Sequence, residues 1–239
     1  MSIEIDIESA SFDEKLEKSL EVLDEAWDRF DDPTFTCSFG KDSNAVLDLL
    51  ARSDADLEND VTLSFLDHGN HFESTWEMKA TLEDRYGVEF ETYEPDSSYE
   101  ELVAEHGPRV NQRKPELCCQ TLKSAPMERM VDGHDGWITG YRMDEGLDDG
   151  GGEGSYEWRK HLDFFEEKEA VTRINPIVHW TTEDVWEYHE RREIPYNDLY
   201  DEGFECLGCK QCTLDGDPLF AYDSIRRVGD GTEPEEAGD

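Results

Sequence analysis

Apolar positions recur along this chain with two different periods, which predict helices and strands in alternation. Leu16, Leu20, Leu23 and Trp27 are three or four residues apart, the spacing of one buried helix face, and they predict a helix over residues 11–30. Shorter apolar runs bounded by turn-forming residues predict buried strands. The expected strands cover 35–38, 61–66, 88–93, 137–141 and 171–176, and the further helices cover 43–52, 73–86, 118–131 and 182–192.

The order of these elements predicts the fold class. Strand, helix, strand, helix and strand follow one another with short connections, as in a parallel sheet whose crossovers are helices. We therefore expect an α/β protein with a mostly parallel twisted sheet and helices on both faces. Residues 96–115 and those after Pro195 are expected to be irregular, the helix over 118–131 to be interrupted near Pro126, and residues 146–154 to form a flexible acidic loop.

Composition excludes several classes of protein. Of 239 residues, 22 are Lys or Arg and 61 are Asp or Glu, giving a formal net charge of −39. Because 36% of the residues are hydrophobic and 11% are aromatic, general disorder is excluded. The charge argues against broad electrostatic binding to nucleic acid or anionic lipid.

The distribution of the acidic residues predicts the environment of the protein. They occur in nearly every segment, as in proteins that remain soluble in a salt-filled cytoplasm, so we expect a halophilic protein. No apolar run approaches the ~20 residues of a membrane helix, and the N-terminus lacks the features of a signal peptide. The expected location is therefore cytoplasmic, without a membrane partner.

Six cysteines are arranged in a pattern typical of metal binding. They are Cys37, Cys118, Cys119, Cys206, Cys209 and Cys212. One adjacent pair and one C-x-x-C-x-x-C group lie far apart in sequence, and four thiolates from two such groups suit zinc or an iron–sulfur cluster. The first cysteine stands alone and is expected to be an ordinary buried thiol.

The strand-to-helix turn at residues 38–43 (SFGKDS) is a candidate anion site. Gly40 lets the backbone N–H groups turn toward a ligand, and the N-terminus of the following helix favours negative charge. Lys41 adds a point charge, and Ser38 and Ser43 add hydroxyl donors. If the turn is merely structural, Asp42 or Ser43 caps the helix instead.

Positive charge is concentrated near the cysteine pair. Between residues 109 and 129, five basic residues stand against two acidic ones. The basic residues are Arg109, Arg113, Lys114, Lys123 and Arg129. Basic groups favour thiolates and would bind an anionic substrate beside them. Arg142 follows the expected strand 137–141, at the end of a parallel strand where α/β sheets bind ligands.

Six segments in order resemble the motifs of the sulfonucleotide reductases, which reduce adenylyl sulfate or its 3′-phosphorylated form to sulfite. This family belongs to the adenine-nucleotide alpha-hydrolase-like superfamily, and the resemblance covers roughly the region from Pro33 to Phe220. The segments are SFGKDS at 38–43, FLDHGNHF at 65–72, CCQTLK at 118–123, WITGYR at 137–142, the stretch from 175–180 to IPYNDL at 194–199, and GCKQCT at 208–213.

The resemblance implies an ATP-pyrophosphatase (PP-loop) architecture in three parts. These are an N-terminal helical segment at 1–32, a nucleotide-binding domain with the cysteine cluster at 33–228, and a disordered acidic tail at 229–239. It also implies adenylyl sulfate or phosphoadenylyl sulfate as substrate and thioredoxin or a similar reductant as partner. The expected assembly is a homo-oligomer.

The resemblance also implies roles for individual residues. Cys118, Cys119, Cys209 and Cys212 would hold a [4Fe–4S] cluster, and Lys123 would be a catalytic residue near both the cluster and the substrate sulfate. The implied substrate-binding residues are Ser38, Gly40, Lys41, Asp42, Ser43, Asp67, Gly69 and Arg142.

The sequence departs from the reductase pattern at the nucleophile. The family usually carries a C-terminal Glu-Cys-Gly-Leu-His motif, whose Cys attacks sulfur to form a thiosulfonate that thioredoxin releases. Here no Cys follows Cys212, so Cys206, or alternatively Cys37, is the candidate replacement. Phe39 matches the reductases, whereas the Lys-Asp-Ser that follows Gly40 is closer to ATP-using enzymes of the same superfamily.

Three functions therefore stay open at the level of sequence. The first is a sulfonucleotide reductase, which the two cysteine motifs and the WITGYR segment favour. The second is an ATP-dependent adenylating sulfurtransferase of the thiolation or phosphorothioation type, which the Lys-Asp-Ser turn and the missing C-terminal Cys favour. The third is a non-catalytic nucleotide-binding or cluster-carrying subunit, although the segment at 38–43 that resembles the family's phosphate loop is retained.

Overall fold

The computed structural model describes residues 10–144, 162–168, 171–214 and 217–218. Helices are α1 (Phe12–Arg29), α2 (Lys41–Leu50), α3 (Glu73–Tyr86), α4 (Tyr99–His106), α5 (Val110–Arg113), α6 (Pro115–Cys119), α7 (Ala125–Val131) and α8 (Thr182–Arg192), with a π-helical turn at Gln120–Ser124 and a 3-10 turn at Asp198–Tyr200. Strands are β1 (Pro33–Thr36), β2 (Thr62–Leu66), β3 (Glu91–Tyr93), β4 (Gly136–Ile138), β5 (Phe165–Glu167), β6 (Thr172–Ile174), β7 (Thr213–Leu214) and β8 (Asp217–Pro218).

Six of the strands form one sheet in the order β3-β2-β1-β4-β6-β5. Every neighbouring pair is parallel except the edge strand β5, which is antiparallel to β6. The prediction of an α/β protein with a mostly parallel sheet is confirmed. Strand β1 lies between β2 and β4, and the chain order reverses there, so the carboxyl ends of these three strands border a crevice suited to ligand binding.

The helices begin and end where local chemistry predicts. The Ser11 side chain and Glu14 form a capping box at the start of α1, and Thr181 does the same for α8 with Asp184. Helix α3 ends at Gly87, whose φ of 67° is the left-handed conformation that glycine adopts without strain. These three helices have nearly the predicted bounds because their signals are local.

The hydrophobic core joins α1, α2 and the sheet. Val22, Leu23 and Ala26 on α1 are fully buried, as are Phe35 on β1 and Leu47 on α2. Burial of each Val, Leu or Phe side chain among these stabilises the fold by about 1.5–3 kcal/mol. The core therefore fixes the position of α2, whose N-terminus faces the crevice.

Several predicted boundaries are wrong. Residues 96–115, expected to be irregular, contain α4 and α5, and Ser98 with Glu101 forms a capping box that signals the start of α4. The helix predicted over 118–131 begins earlier, at Pro115, whereas the predicted interruption near Pro126 is present as the π-helical turn, since proline has no N–H to donate. Edge strand β5 was not predicted. The expected loop at 146–154 and tail at 229–239 lie outside the described residues.

The described helices also bear on membrane association. Across the described ranges, we find no helix of the length and apolarity that a membrane crossing requires.

Candidate active site

A cavity of about 200 Å³ lies at the carboxyl ends of β1, β2 and β4. Its described walls come from residues 36–43, from the loop after β2, from residues 139–141 after β4 and from residues 206–208. Lys123 on the π-helical turn closes one side. The phosphate-loop segment and the end of the WITGYR segment, which are distant in sequence, therefore contribute to one site.

The turn between β1 and α2 has an unusual backbone that its packing stabilises. Phe39 has a φ of 59°, in the left-handed region that costs a residue with a side chain about 1–2 kcal/mol. Its ring is buried, with the rings of Phe65 and Phe90 centred 4.9 and 5.0 Å away. Aromatic burial outweighs this backbone cost and directs the following N–H groups toward the cavity.

The hydroxyls of this turn face the cavity and lie close to each other. Ser43 Oγ donates to the carbonyl of Gly40 at 3.0 Å and lies 3.2 Å from Ser38 Oγ. Ser38 is exposed, and all three residues line the cavity. Together with the N-terminus of α2, they form a polar pocket suited to an anion.

Lys41 and Asp42 form a charged pair at the start of α2. Lys41 Nζ lies 3.0 Å from Asp42 Oδ2 and donates to the carbonyl of Glu205 at 3.4 Å. Burial raises the pKa of Asp42, but the nearby charges of Arg142 and Lys41 outweigh it and hold that pKa well below its usual range. Asp42 is therefore ionised, and its charge offsets that of the lysine.

Arg142 is placed differently from the expectation that it contacts the nucleotide. Its guanidinium is buried, donates from Nε to Asp42 Oδ1 at 2.7 Å and from Nη1 to Asp144 Oδ2 at 3.2 Å, and also reaches the carbonyl of Trp180. It is not among the described residues that line the cavity. In this arrangement Arg142 links the start of α2 to the start of α8, behind the phosphate loop.

The loop after β2 presents different side chains to the cavity from those predicted. Asp67 Oδ1 accepts a hydrogen bond from the Gly69 N–H at 2.8 Å, which forms a tight turn, and neither residue is among the described cavity-lining ones. His68 and His71 line the cavity instead, with ring centroids 3.7 Å apart. Burial lowers the pKa of both histidines, so both are neutral near pH 7.

The two cysteine motifs meet in the folded chain. Cys118, Cys119, Cys209 and Cys212 are all buried and line one small cavity beside the larger one. The N–H groups of Cys212 and Thr213 both donate to the Cys209 carbonyl at 2.9 Å, which closes the turn of the second motif. That motif docks on the loop after β2, where the Lys210 N–H donates to the Asn70 carbonyl at 2.9 Å.

The cysteines and Lys123 influence one another electrostatically. Burial, and then the proximity of the other three thiols, raises the pKa of Cys118 to about 12. Burial works against the charge of Lys123, but the neighbouring sulfurs, that of Cys209 first, outweigh it and raise its pKa. Lys123 therefore remains a buried cation, and it lines both the small cavity and the large one.

Two other basic residues of the 109–129 stretch, Arg113 and Arg129, donate to backbone carbonyls. Arg113 donates to the carbonyls of His106 and Pro108 at the end of α4. Arg129 donates to the Glu94 carbonyl at 2.7 Å. Of the five basic residues, Lys123 is the one that lines the cavity within the described part of the chain. The sequence could not predict these roles, because the fold decides which backbone carbonyls lie within reach of each arginine.

Three further residues that line the cavity bear on its chemistry. Cys37 and Cys206 both line it, but burial raises the pKa of Cys37 to about 12, whereas Cys206 is partly exposed. Tyr200 also lines it, and its hydroxyl accepts a hydrogen bond from the Lys41 N–H at 3.1 Å. No sequence motif singled out Tyr200, since its role depends on a contact across the fold.

Known proteins resemble this chain over most of its length. A family model, phosphoadenosine phosphosulfate reductase domain, matches residues 32–215. Adenosine 5′-phosphosulfate reductase 1 of Bacillus subtilis is 32% identical over 218 residues, covering 90% of this chain and 86% of that protein.

Solved structures resemble the fold. The crystal structure of phosphoadenylyl-sulfate reductase from Candida auris in its phosphate complex has a TM-score of 0.67 and 23% identity, covering 90% of this chain and 100% of that chain. The U34-tRNA thiolase NcsA from Methanococcus maripaludis, with its [4Fe–4S] cluster, has a TM-score of 0.56 and 16% identity, covering 95% of this chain and 83% of that chain. At these identities the likeness extends to the fold alone, which is of the PP-loop type.

Proposed function

The chain belongs to the phosphoadenosine phosphosulfate reductase family and is a reductase-like enzyme, and we propose that it reduces adenylyl sulfate or 3′-phosphoadenylyl sulfate to sulfite. The observation that carries the proposal is the position of Lys123, which lines both the phosphate-loop cavity and the four-cysteine cavity. A sulfate bound near the phosphate loop would thus lie close to the cysteines. The Bacillus subtilis relative is named for adenosine 5′-phosphosulfate, which favours the unphosphorylated nucleotide.

The phosphate loop would bind the anionic part of the substrate. Backbone N–H groups at the start of α2, the hydroxyls of Ser38 and Ser43, and the ammonium of Lys41 supply donors and positive charge. Met127 and Met130 on α7 give the same cavity an apolar wall against which an adenine ring would pack. Lys123 would neutralise charge on the sulfate at the far side.

The four buried cysteines fit a [4Fe–4S] cluster by the chemistry of their donor set. Four thiols crowd one cavity with one buried cation, and burial with mutual proximity disfavours their ionisation unless a metal compensates. Among the described residues, no group of three or more His, Cys, Asp or Glu side chains is arranged to hold a metal ion. We propose Cys118, Cys119, Cys209 and Cys212 as the ligands; the bound cluster would supply a redox-active group beside Lys123.

Cys206 is the proposed nucleophile. It lines the cavity, is partly exposed, and follows Glu205, whose carbonyl accepts from Lys41. Its thiolate would attack the sulfur of adenylyl sulfate, forming a sulfur–sulfur bond while the bond from sulfur to the bridging oxygen breaks and AMP leaves with the electron pair. One thiol of a thioredoxin-class dithiol would then attack the Cys206 sulfur, which forms a mixed disulfide and releases sulfite. The second thiol of the dithiol would attack the mixed disulfide, giving the oxidised dithiol and a free Cys206 thiol. Two thiols are oxidised and one sulfur(VI) is reduced to sulfur(IV).

A paired assay tests the reductase proposal. Anaerobically purified protein should release sulfite from adenylyl sulfate when thioredoxin and its reductase are supplied, and 3′-phosphoadenylyl sulfate in the same assay decides the substrate. Cys206→Ser should abolish release, whereas Cys37→Ser, the matched control from the same cavity, should retain it. Full activity in Cys206→Ser would refute the assignment of the nucleophile.

An ATP-dependent sulfurtransferase is the second candidate. The Lys-Asp-Ser sequence after Gly40 favours it, and a thiolase shares the fold. This function requires pyrophosphate release from ATP in the presence of a thiolation substrate. Pyrophosphate release without sulfite release from either sulfate nucleotide would replace the reductase proposal with this one.

A further inference from the structure

Tyr200 covers the N-terminus of α2 from a distant part of the chain. The backbone N–H of Lys41, at the first position of that helix, donates to the Tyr200 hydroxyl at 3.1 Å. A Cβ atom at Gly40 would lie 3.3 Å from the same hydroxyl, so glycine permits this close approach. The hydroxyl therefore lies at the helix end where the phosphate loop directs its donors.

The surroundings of Tyr200 hold its ring in place. The ring lies edge-on to Trp186 with centroids 5.3 Å apart, and Lys41 Nζ lies 5.6 Å from the ring centroid. The 3-10 turn that carries it, Asp198–Tyr200, is capped by Asn197, whose side chain accepts from the Leu199 N–H at 3.1 Å. Because aromatic packing and a capped turn both fix the ring, the hydroxyl is a preorganised group.

The hydroxyl of Tyr200 has a proton available for a ligand. Burial raises the pKa of Tyr200, against the opposing charge of Lys41, so the group is a neutral phenol at physiological pH. Its oxygen accepts from the Lys41 N–H, and within the described ranges the hydroxyl makes no second hydrogen bond. Since Tyr200 lines the large cavity, a bound anion is the natural acceptor.

We propose that Tyr200 is a positioning residue for the substrate anion, donating its hydroxyl proton to a sulfate or phosphate oxygen while its own oxygen stays bonded to the Lys41 N–H. This inference rests on the proposed function only in that an anionic nucleotide must occupy the cavity. The hydroxyl would extend the N-terminal donor of α2 into the cavity by one hydrogen bond, because its oxygen lies 3.1 Å from the Lys41 nitrogen. It would also place the anion near Cys206, which lines the same cavity.

Calorimetric titration of the full chain with adenylyl sulfate, AMP, ATP and adenosine tests this role. Tyr200→Phe should weaken adenylyl sulfate binding by about 10- to 100-fold, the range for one hydrogen bond to a charged acceptor, and leave adenosine binding unchanged. In turnover assays the loss should appear in KM more than in kcat. The matched control is Tyr196→Phe, because Tyr196 packs on the same Trp186 at 5.1 Å but directs its hydroxyl to Asp201.

The outcomes separate this inference from the proposed function. Unchanged adenylyl sulfate affinity in Tyr200→Phe would overturn the inference, and tighter binding would overturn it too, by showing that the hydroxyl occupies the anion subsite. Equal losses for adenosine and adenylyl sulfate would indicate a merely structural role and also overturn it. If wild-type protein binds ATP but neither sulfate nucleotide, and Tyr200→Phe weakens ATP binding, the inference holds and the proposed function fails.

Discussion

Replacement of Arg142 by Met separates a structural role for this residue from a substrate-binding one. The Arg142 side chain is 1% exposed and ion-paired with Asp42 and Asp144. Loss of one partner from a buried ion pair costs about 3–5 kcal/mol, because the remaining charge stays buried. Asp42 keeps the Lys41 ammonium at 3.0 Å, and Asp144 is 26% exposed and regains hydration. We therefore expect Arg142→Met to lower the free energy of unfolding by about 3 kcal/mol, the lower end of this range.

Urea unfolding followed by tryptophan fluorescence measures this loss. In thermal unfolding of a chain of this size, a loss of about 3 kcal/mol corresponds to a decrease in Tm of roughly 6–12 °C. Arg129→Met is the matched control, since Arg129 is 43% exposed and its partner Asp96 is 89% exposed, and its loss should stay within about 1 kcal/mol. Normal stability of Arg142→Met together with lost nucleotide binding would refute the structural reasoning and support direct contact with substrate.

The pH dependence of the same variant gives a second check. The charges of Arg142 and Lys41 outweigh burial and lower the pKa of Asp42 in the native state. A carboxyl with a lowered native pKa stabilises the fold above its unfolded value of about 4, and this contribution is lost as pH falls toward the native pKa. The difference in unfolding free energy between wild type and Arg142→Met should therefore be largest near neutral pH and narrow in acid. A difference independent of pH would contradict the ion-pair account.

Three further predictions follow from the site. The proposed cluster should make anaerobically purified protein brown and give it bound sulfide, and Cys119→Ala and Cys209→Ala should each lose both. Stoichiometric zinc without sulfide in the wild type would contradict the proposed cluster. Lys123→Met should weaken titrated adenylyl sulfate binding more than AMP binding, because Lys123 is placed to meet the sulfate charge, and equal losses would argue against that placement. Phe39→Gly should lower the urea-unfolding free energy by about 2–4 kcal/mol, since the lost aromatic burial exceeds the relieved backbone strain; increased stability would show that strain dominates.

Sequence patterns predicted the fold wherever the signals are local. Helix α3 has the predicted bounds at Glu73 and Tyr86, and α8 has the predicted bounds at Thr182 and Arg192. The parallel sheet followed from the alternation of short apolar runs with helical segments. Edge strand β5 was missed because its sequence, FEE, carries no apolar alternation, and its pairing with β6 supplies its stability.

The candidate site was predicted less evenly than the fold. The two cysteine motifs and Lys123 do meet around one cavity, although Cys119 and Cys209 are far apart in the chain. Arg113 and Arg129, two of the basic residues near the cysteine pair in sequence, donate to backbone carbonyls of His106 and Glu94. Residue type predicts that a charge needs a partner, but the fold decides which partner lies within reach.

The sequence by itself determined the elements of this protein and the chemistry available to it: helical and strand periods, a strand-to-helix turn rich in donors, and four thiols in two motifs. Only the tertiary structure decided the use of each group. It turned Arg142 toward Asp42 and placed the Tyr200 hydroxyl on the Lys41 N–H. The reason is physical, because hydrogen bonds and ion pairs form over a few ångströms, and such distances arise from packing between elements that no local pattern records.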